Sequence, residues 1–245
     1  MSPAAPTLTL LQTRPDLALL HRWAQASGQR ALREDLGYAL HAAAKATLGG
    51  LAPKPFALVQ RAGGLALFVG YSSADAADLE RVAAFSAGDA LAARSLGLAA
   101  LSARALPSDW RVGELLRFEV RCAPVVRSRS QGGGYPEVDA VHHPLYAADD
   151  REVAYLRWLA RELARDDAAE LEHGELVAFR LAAIARRAAQ AGGAIRTTQC
   201  GLLPDAQLRG QLRVRDGAAF QRLLARGLGR HRAFGFGCLL LAPAG

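Results

Sequence analysis

The sequence predicts an α+β fold, because extended and helical patterns follow one another in the same order in both halves of its 245 residues. Residues 7–13 alternate threonine with leucine, which is typical of a strand. Two apolar runs on either side of Gly63-Gly64 indicate a hairpin. Strand, helix, hairpin, helix, strand is the order of a ferredoxin-like (RRM-like) unit. We therefore expect two such domains in tandem, residues 1–145 and 146–245, with a cleft between them.

Helix signals connect the strands of the first half. Asp16 opens a short apolar helix, LALLHRWAQA, which stops near Gly28. Residues 31–48 predict a longer helix that ends at Gly49-Gly50. The other elements predicted here are a helix over 75–86 and a strand over 115–126.

A glycine-rich, basic segment separates the halves. Residues 127–139 read RSRSQGGGYPEVD, which indicates a mobile loop at a domain edge. Apolar residues at helical spacing then predict a helix over about 149–166. The remaining predictions are strands over 176–184 and 207–216, a helix over 219–227 and a buried closing strand, CLLLAP.

The chain is basic, with a formal charge of +7, and only Lys45 and Lys54 among its 30 basic residues are lysines. Arginine presents a planar fork that binds phosphate through two hydrogen bonds. A genome rich in G and C would also favour arginine codons and alanine. The charge therefore suggests a nucleic-acid partner without establishing one.

Several classes of protein are disfavoured by the sequence. It contains no uninterrupted apolar run of about 20 residues and no basic start before an apolar segment, so we expect neither a membrane span nor a secretory signal. Cys122, Cys200 and Cys238 form no CxxC pair, which favours buried, reduced cysteines in a cytoplasmic protein. The pair His142-His143 has no partner ligands nearby in sequence, so we expect no metal and no cofactor.

Three segments carry a resemblance to a known family. Residues 227–243, GLGRHRAFGFGCLLLAP, combine a basic glycine-rich loop with an apolar strand. This segment resembles the closing signature of the CasE family of CRISPR repeat endoribonucleases, in the RAMP superfamily. Residues 35–41, DLGYALH, resemble the Tyr-x-x-His of the family's first helix, and 116–124, LRFEVRCAP, resemble the strand near the end of its first domain.

The resemblance implies a metal-independent endoribonuclease that cleaves CRISPR repeat RNA to give mature crRNA. It also implies products with a 2′,3′-cyclic phosphate and a 5′-hydroxyl. The enzyme would stay on the 3′ stem-loop as a subunit of an interference complex, so its partners would be the crRNA hairpin and the other subunits.

The sequence departs from the family pattern in two ways. Ala42 follows the histidine where the family commonly has a basic residue, and an extra segment over 14–30 brings its own His21. His21 has no tyrosine three residues before it and lies far from the hairpin, so we favour His41. The extra segment also resembles divergent homologues of type IV systems, some of which rely on arginines, and this leaves the set of catalytic residues open.

One face of the helix over 31–48 has the groups that RNA cleavage needs. At 3.6 residues per turn, Glu34, Tyr38, His41 and Lys45 fall within about 60° of one another, opposite Leu32, Leu36, Leu40 and Ala43. RNA supplies its own nucleophile, the 2′-hydroxyl, and histidine suits the proton transfer because its ordinary pKa is about 6.5. We expect His41 to act as general base or general acid and Tyr38 to orient the 2′-hydroxyl or the phosphate. Lys45, Arg30 or Arg33 would offset the developing charge.

Other basic residues are candidates for RNA binding. The glycines of the closing loop (Gly227, Gly229, Gly235 and Gly237) allow backbone N–H groups to approach phosphates, beside Arg230, His231 and Arg232. His231 is also the second candidate for the catalytic histidine. The remaining candidates are Arg127 and Arg129 in the mobile loop and Arg209, Arg213 and Arg215, which alternate along one strand face. Ordinary solvated arginines are the alternative for each of them.

Two other functions stay open at this stage. The first is a RAMP-fold RNA-binding subunit without catalytic activity. The second is a ferredoxin-like protein unrelated to RNA, which would have no affinity for an RNA hairpin at moderate salt.

Overall fold

The structure, a computed structural model, describes residues 6–27, 35–60, 62–86, 91–128, 136–148, 150–189 and 195–244. None of the helices within these ranges has both the length and the apolar character needed to cross a bilayer.

The first sheet is antiparallel and has four strands, β1 (Thr9–Thr13), β2 (Phe56–Gln60), β3 (Ala66–Ser72) and β4 (Ser102–Ala105), in the order β2-β3-β1-β4. Its helices are α1 (Leu17–Ala26), α2 (Leu36–Leu48), α3 (Ala76–Ser86) and α4 (Leu91–Leu96). Leu11, Phe68, Leu40 and Leu79 are buried together between them. The strand, helix and hairpin order predicted for this half is confirmed.

Helix α2 begins at Leu36 because Asp35 caps it. The Asp35 Oδ1 atom accepts a hydrogen bond from the Tyr38 N–H at 2.9 Å, which satisfies one of the free N–H groups of the first turn. Gly49, at φ 58°, ends the helix as predicted. Residues 31–34 of the helix that we predicted lie outside the described ranges, and so does Gly28 after α1.

The second sheet is also antiparallel and has four strands. They are β5 (Leu115–Cys122), β8 (Ala169–Ala189), β9 (Ile195–Val214) and β10 (Leu240–Pro243), in the order β10-β5-β9-β8. The helices α5 (Arg151–Leu163) and α6 (Gly217–Arg226) belong to this unit. If the strands of each sheet are numbered along the chain, starting at β1 in the first sheet and at β5 in the second, both sheets have the order 2-3-1-4. Two tandem ferredoxin-like units are therefore present, as the sequence predicted.

Strand β5 belongs to the second sheet, although it lies within residues 1–145. Its alternate residues, Leu116, Phe118 and Val120, are buried in one core with Leu208 and Leu212 of β9. The boundary between the two sheets therefore falls between β4 and β5 and does not coincide with a division at residue 145. The resemblance had placed this strand in the first domain, and its hydrogen bonds to β9 and β10 correct that placement.

Other differences concern the lengths of strands. The strand predicted over 115–126 ends at Cys122, and a two-stranded ladder of β6 (Val125–Arg127) and β7 (Glu137–Asp139) borders the predicted loop. Strands β8 and β9 are far longer than 176–184 and 207–216, because they pair with each other along their whole length, with bulges that interrupt the alternation of polar and apolar residues. Strand β10 is a partly exposed edge strand, and Cys238 and Leu239, which we expected within it, are buried just before it.

The two units pack closely against each other. Leu8, Ala57 and Tyr71 of the first unit belong to the same buried cluster as Phe118 and Leu239 of the second. The Tyr71 hydroxyl donates a hydrogen bond to the Leu239 carbonyl at 2.5 Å, and burial raises the pKa of this phenol. The end of the chain is thereby fixed to β3 of the first unit.

Candidate RNA-processing site

Helix α2 lies directly against the glycine-rich turn, by which we mean residues 227–237. A Cβ atom at Gly37 would lie only 2.2 Å from the carbonyl oxygen of Phe234, so glycine is required for this approach. The rings of Tyr38 and Phe234 stack with their centroids 5.5 Å apart. The structure thus brings the helix that contains Tyr38 and His41 together with the basic turn near the end of the chain.

The turn has a backbone that favours glycine. The four glycines singled out in the sequence have positive φ angles, from 62° at Gly229 to 80° at Gly235. Gly237 also needs its small size, since a Cβ atom there would lie 2.1 Å from the Leu228 carbonyl oxygen. The Gly237 N–H donates to the carbonyl of Arg121 at 2.7 Å, which joins the turn to β5.

His231, the second candidate for the catalytic histidine, is enclosed by protein. Its side chain has no exposed surface, and its Nε2 atom lies 2.8 Å from a carboxylate oxygen of Glu137 in β7. Arg230 donates to the other oxygen of the same carboxylate. Burial alone would raise the pKa of Glu137, but His231 and Arg230 lower it below its usual range. This position suits a histidine that holds the turn against β7.

The other basic residues of the turn contact protein groups as well. Arg230 is partly exposed beyond its bond to Glu137, and Arg232 donates to the carbonyl of Arg226. Arg127 is exposed in β6, opposite Glu137 in the ladder. Three other predicted RNA-binding residues, Arg30, Arg33 and Arg129, lie outside the described residues.

His41 is half-buried on α2, and its ring lies parallel to that of Phe56, with the centroids 6.3 Å apart. Within the described part of the chain, its Nδ1 atom is buried and has no hydrogen-bond partner. Of the two ring nitrogens, Nδ1 is thus closed off from solvent, which leaves Nε2 as the candidate for proton transfer. Burial lowers the pKa of His41, and the positive charges of Lys54 and Lys45 lower it further.

The face of α2 predicted from helical periodicity is largely present. Leu40 and Ala43 are fully buried, whereas Lys45 is exposed. Leu36 differs from the prediction, because it is 43% exposed and lines the cleft between the two units. Leu32 and Glu34 lie outside the described ranges.

The arginines predicted to form a basic stripe are each paired with a glutamate. Arg209, Arg213 and Arg215 on β9 form ion pairs with Glu175, Glu172 and Glu170 on β8. All three arginines remain partly or largely exposed, but alternating signs of charge replace a purely positive surface. The sequence did not reveal this because the register between β8 and β9 includes bulges.

A cleft of about 780 Å³ separates the open face of the second sheet from β2 and the start of α2. At its floor the buried carboxylate of Asp205 accepts hydrogen bonds from Arg121 at 2.7 and 2.9 Å and from Arg180 at 2.7 Å. These two arginines lower the pKa of Asp205, although burial opposes that shift. The Arg121 guanidinium also lies 4.3 Å from the ring centre of Phe236 in the turn. The predicted cleft is present, and sequence reasoning did not find this cluster at its floor.

Metal-binding and thiol groups form no further site in the described residues. No group of three or more histidine, cysteine, aspartate or glutamate side chains there is placed to hold a metal ion. Cys122 and Cys238 are buried free thiols, as predicted, and burial raises the pKa of both. The side chain of Cys200 lies outside the described part of β9.

Comparison with solved structures shows the same fold in proteins of CRISPR systems. The CRISPR endoribonuclease Cse3 bound to a 19-nucleotide RNA has a TM-score of 0.64 at 18% identity, covering 97% of this chain and all of Cse3. Cse3 of Thermus thermophilus, bound to an RNA representing a pre-cleavage complex, gives 0.58 at 17% identity, with 97% and 100% covered. Cas6e of Escherichia coli K-12 gives 0.52 at 18% identity, with 97% and 99% covered.

By sequence, the chain matches a protein family but no individual curated protein. No curated protein matches it. The family model described as "CRISPR associated protein" matches residues 16–243, which is nearly the whole chain. The chain therefore belongs to this family of CRISPR-associated proteins.

Proposed function

We propose that this protein is a metal-independent endoribonuclease that cleaves CRISPR repeat RNA to give mature crRNA. The observation that carries the proposal is the contact between α2 and the glycine-rich turn. It places Tyr38 against Phe234 of the turn, with His41 one helical turn further along α2.

The structural neighbours support this choice of substrate. Two of them are Cse3 endoribonucleases with bound RNA, and others are chains of a CRISPR RNA-guided surveillance complex, with TM-scores of 0.53 and 0.56. By analogy with these neighbours, we propose that the protein binds the crRNA hairpin and remains with it as a subunit of an interference complex.

The proposed reaction is an attack by the 2′-hydroxyl oxygen on the adjacent phosphorus. A bond forms between O2′ and phosphorus, the bond from phosphorus to the 5′-oxygen breaks, and the products carry a 2′,3′-cyclic phosphate and a 5′-hydroxyl. The nucleophile loses a proton and the leaving oxygen gains one, so a base and an acid are needed. No metal takes part in this scheme.

His41 suits the role of the base. Its lowered pKa favours the neutral ring at pH 7, and its other nitrogen, Nε2, would accept the proton of the 2′-hydroxyl. Tyr38 would orient the same hydroxyl or the phosphate from the neighbouring turn of α2. Lys45 would offset part of the negative charge that develops on the phosphorane.

The test is single-turnover cleavage in EDTA of a labelled RNA with the CRISPR repeat of the same genome. We expect the native protein to cut it once and His41→Ala to cut at least about 100-fold more slowly, as is typical for the loss of a general base. Binding of an uncleavable 2′-deoxy analogue should change little. Tight binding without any cutting by the native protein would favour a non-catalytic RNA-binding subunit, and full activity of His41→Ala would remove His41 from the mechanism.

A further inference from the structure

We propose that Lys54 is a second catalytic cation, which contacts the scissile phosphate beside His41. This inference rests on the proposed function and adds a residue that neither helical periodicity nor the family resemblance indicated. Lys54 lies in the connection that precedes β2, on a different element from Tyr38, His41 and Lys45.

The backbone around Lys54 is held in place by the first sheet. The Lys54 N–H donates to the Tyr71 carbonyl at 3.1 Å, and the Tyr71 N–H donates to the Pro55 carbonyl at 3.1 Å. Tyr71 is itself fixed by the hydrogen bond from its hydroxyl to Leu239, two residues after the glycine-rich turn. The position of Lys54 is therefore determined with respect to β3 and to the end of the turn.

The two residues after Lys54 contact the two halves of the site. The Pro55 ring lies against Gly227, where a Cβ atom would be only 2.9 Å from it. The Phe56 ring lies parallel to the His41 ring. Pro55 and Phe56 are buried, whereas the side chain of Lys54 is exposed. The Lys54 side chain therefore begins next to residues that contact both the imidazole and the turn, and it is exposed to solvent, where a bound RNA could meet it.

Electrostatics supports this placement. Lys54 lowers the pKa of His41 more than Lys45 does, although Lys45 is only one helical turn from His41 on α2. In the described part of the chain neither lysine forms an ion pair with a carboxylate, whereas Arg121, Arg209 and Arg213 all do. The only two lysines of a chain rich in arginine therefore act on one histidine, and no glutamate or aspartate among the described residues pairs with either of them.

The chemistry explains why a cation is useful at this point. The phosphorane carries more negative charge than the phosphodiester, so a fixed positive charge stabilises the transition state more than the bound substrate. An ammonium group is a compact charge with three donors on a flexible stem, and it can follow the phosphate oxygens as their geometry changes.

The experiment compares single-turnover rates of the native protein, Lys54→Ala, Lys54→Arg and Arg81→Ala. Arg81, on α3, is 73% exposed and serves as a control for the loss of one positive charge. We expect Lys54→Ala to cut about 100-fold more slowly, which is the usual effect of removing one stabilising donor. Its Kd for the 2′-deoxy repeat should stay within about threefold of the native value, because one lost phosphate contact has a small effect on a large RNA interface. Lys54→Arg should recover part of the rate, and Arg81→Ala should cut at the native rate.

A second readout does not depend on activity. NMR titration of the His41 ring should give a higher pKa in Lys54→Ala than in the native protein, since a neighbouring positive charge has been removed, whereas Arg81→Ala should leave it unchanged. Among the described residues, the charged groups that act on His41 are Lys45 on its own helix and Lys54 from the connection before β2, and the Phe56 ring parallel to it is uncharged.

The outcomes separate this proposal from the one on which it rests. A Lys54→Ala rate within threefold of the native rate would overturn the role of Lys54 and leave the endoribonuclease assignment standing. An unchanged pKa of His41 would overturn the placement of the ammonium group. An inactive native protein would overturn the proposed function, and the titration would still decide where Lys54 lies.

Discussion

At the scale of single residues, the proposed proton transfer depends on the imidazole of His41 and on three neighbours, Phe56, Lys54 and Lys45. The Phe56 ring lies parallel to the His41 ring, and Nδ1 of His41 is buried without a hydrogen-bond partner among the described residues. Lys54 and Lys45 add to the effect of burial on its pKa. Burial and the two lysines disfavour the protonated ring, which suits the proposed role of His41 as a base that starts the reaction in the neutral form.

The first prediction concerns pH. Because the pKa of His41 lies below 6.5 and the base is the neutral ring, cleavage should decline only when the pH falls through that lowered value. At pH 6.5 the single-turnover rate should therefore exceed half of its plateau at higher pH. A pH–rate profile in EDTA measures this, and a half-maximal point above pH 6.5 on the acid limb would contradict a lowered pKa.

Sequence reasoning reached part of this site. Helical periodicity was sufficient to place Tyr38, His41 and Lys45 on one face, because that relation is local. Lys54 and Phe56 could not be associated with His41 from the sequence, since a hairpin and a buried core bring them there. His231 was a second candidate for the catalytic histidine because it lies in a basic loop. Its burial could not be predicted, since it involves Glu137, which lies 94 residues away in the sequence.

At the scale of elements, the proposed site depends on the close contact between α2 and the glycine-rich turn. It requires the absence of a side chain at Gly37, because the Phe234 carbonyl occupies the space of a Cβ atom. The sequence predicted both elements, but their contact depends on the packing of the two units.

The second prediction tests the contact between α2 and the turn. Gly37→Ala should push α2 away from the turn, lower the free energy of unfolding by about 1–3 kcal/mol as overpacking does, and reduce the rate of cleavage. Gly50→Ala is the matched control, since a Cβ atom there would have no neighbour within 4 Å. Urea denaturation and single-turnover assays measure both effects. Equal stability and equal activity of the two variants would show that the close approach is not needed.

The strand order of each unit could be anticipated from the order of its elements, whereas strand length could not. Strands β8 and β9 continue beyond the sheet because they pair with each other, with bulges that disturb the alternation of polar and apolar residues. Alternation alone therefore identified only fragments of this hairpin.

At the scale of the whole molecule, the formal charge is +7, but many of the arginines are paired with carboxylates. The arginines of the open face of the second sheet are paired with glutamates of β8, and those at the floor of the cleft share Asp205. Composition predicted a basic protein but not which cations face solvent without a counter-ion, because ion pairs depend on strand register.

The third prediction is that RNA binding weakens with salt. If phosphate contacts dominate affinity, the logarithm of the association constant should fall linearly with the logarithm of salt concentration, with a slope of about −3 or steeper. Arg209→Ala should make that slope shallower by about one if the open face contacts the stem, and Arg81→Ala should not change it. An unaltered slope for Arg209→Ala would place the RNA on another surface.

The most direct test of the account is the chemistry of the cut ends. The native protein should cleave the repeat RNA in EDTA, leave a 2′,3′-cyclic phosphate on the upstream fragment, and fail on an RNA that lacks only the 2′-hydroxyl at the cut position. Mass spectrometry of the fragments distinguishes these ends. A requirement for a divalent metal, a 3′-hydroxyl on the upstream fragment, or cleavage of the 2′-deoxy RNA would contradict the proposed attack by the 2′-hydroxyl.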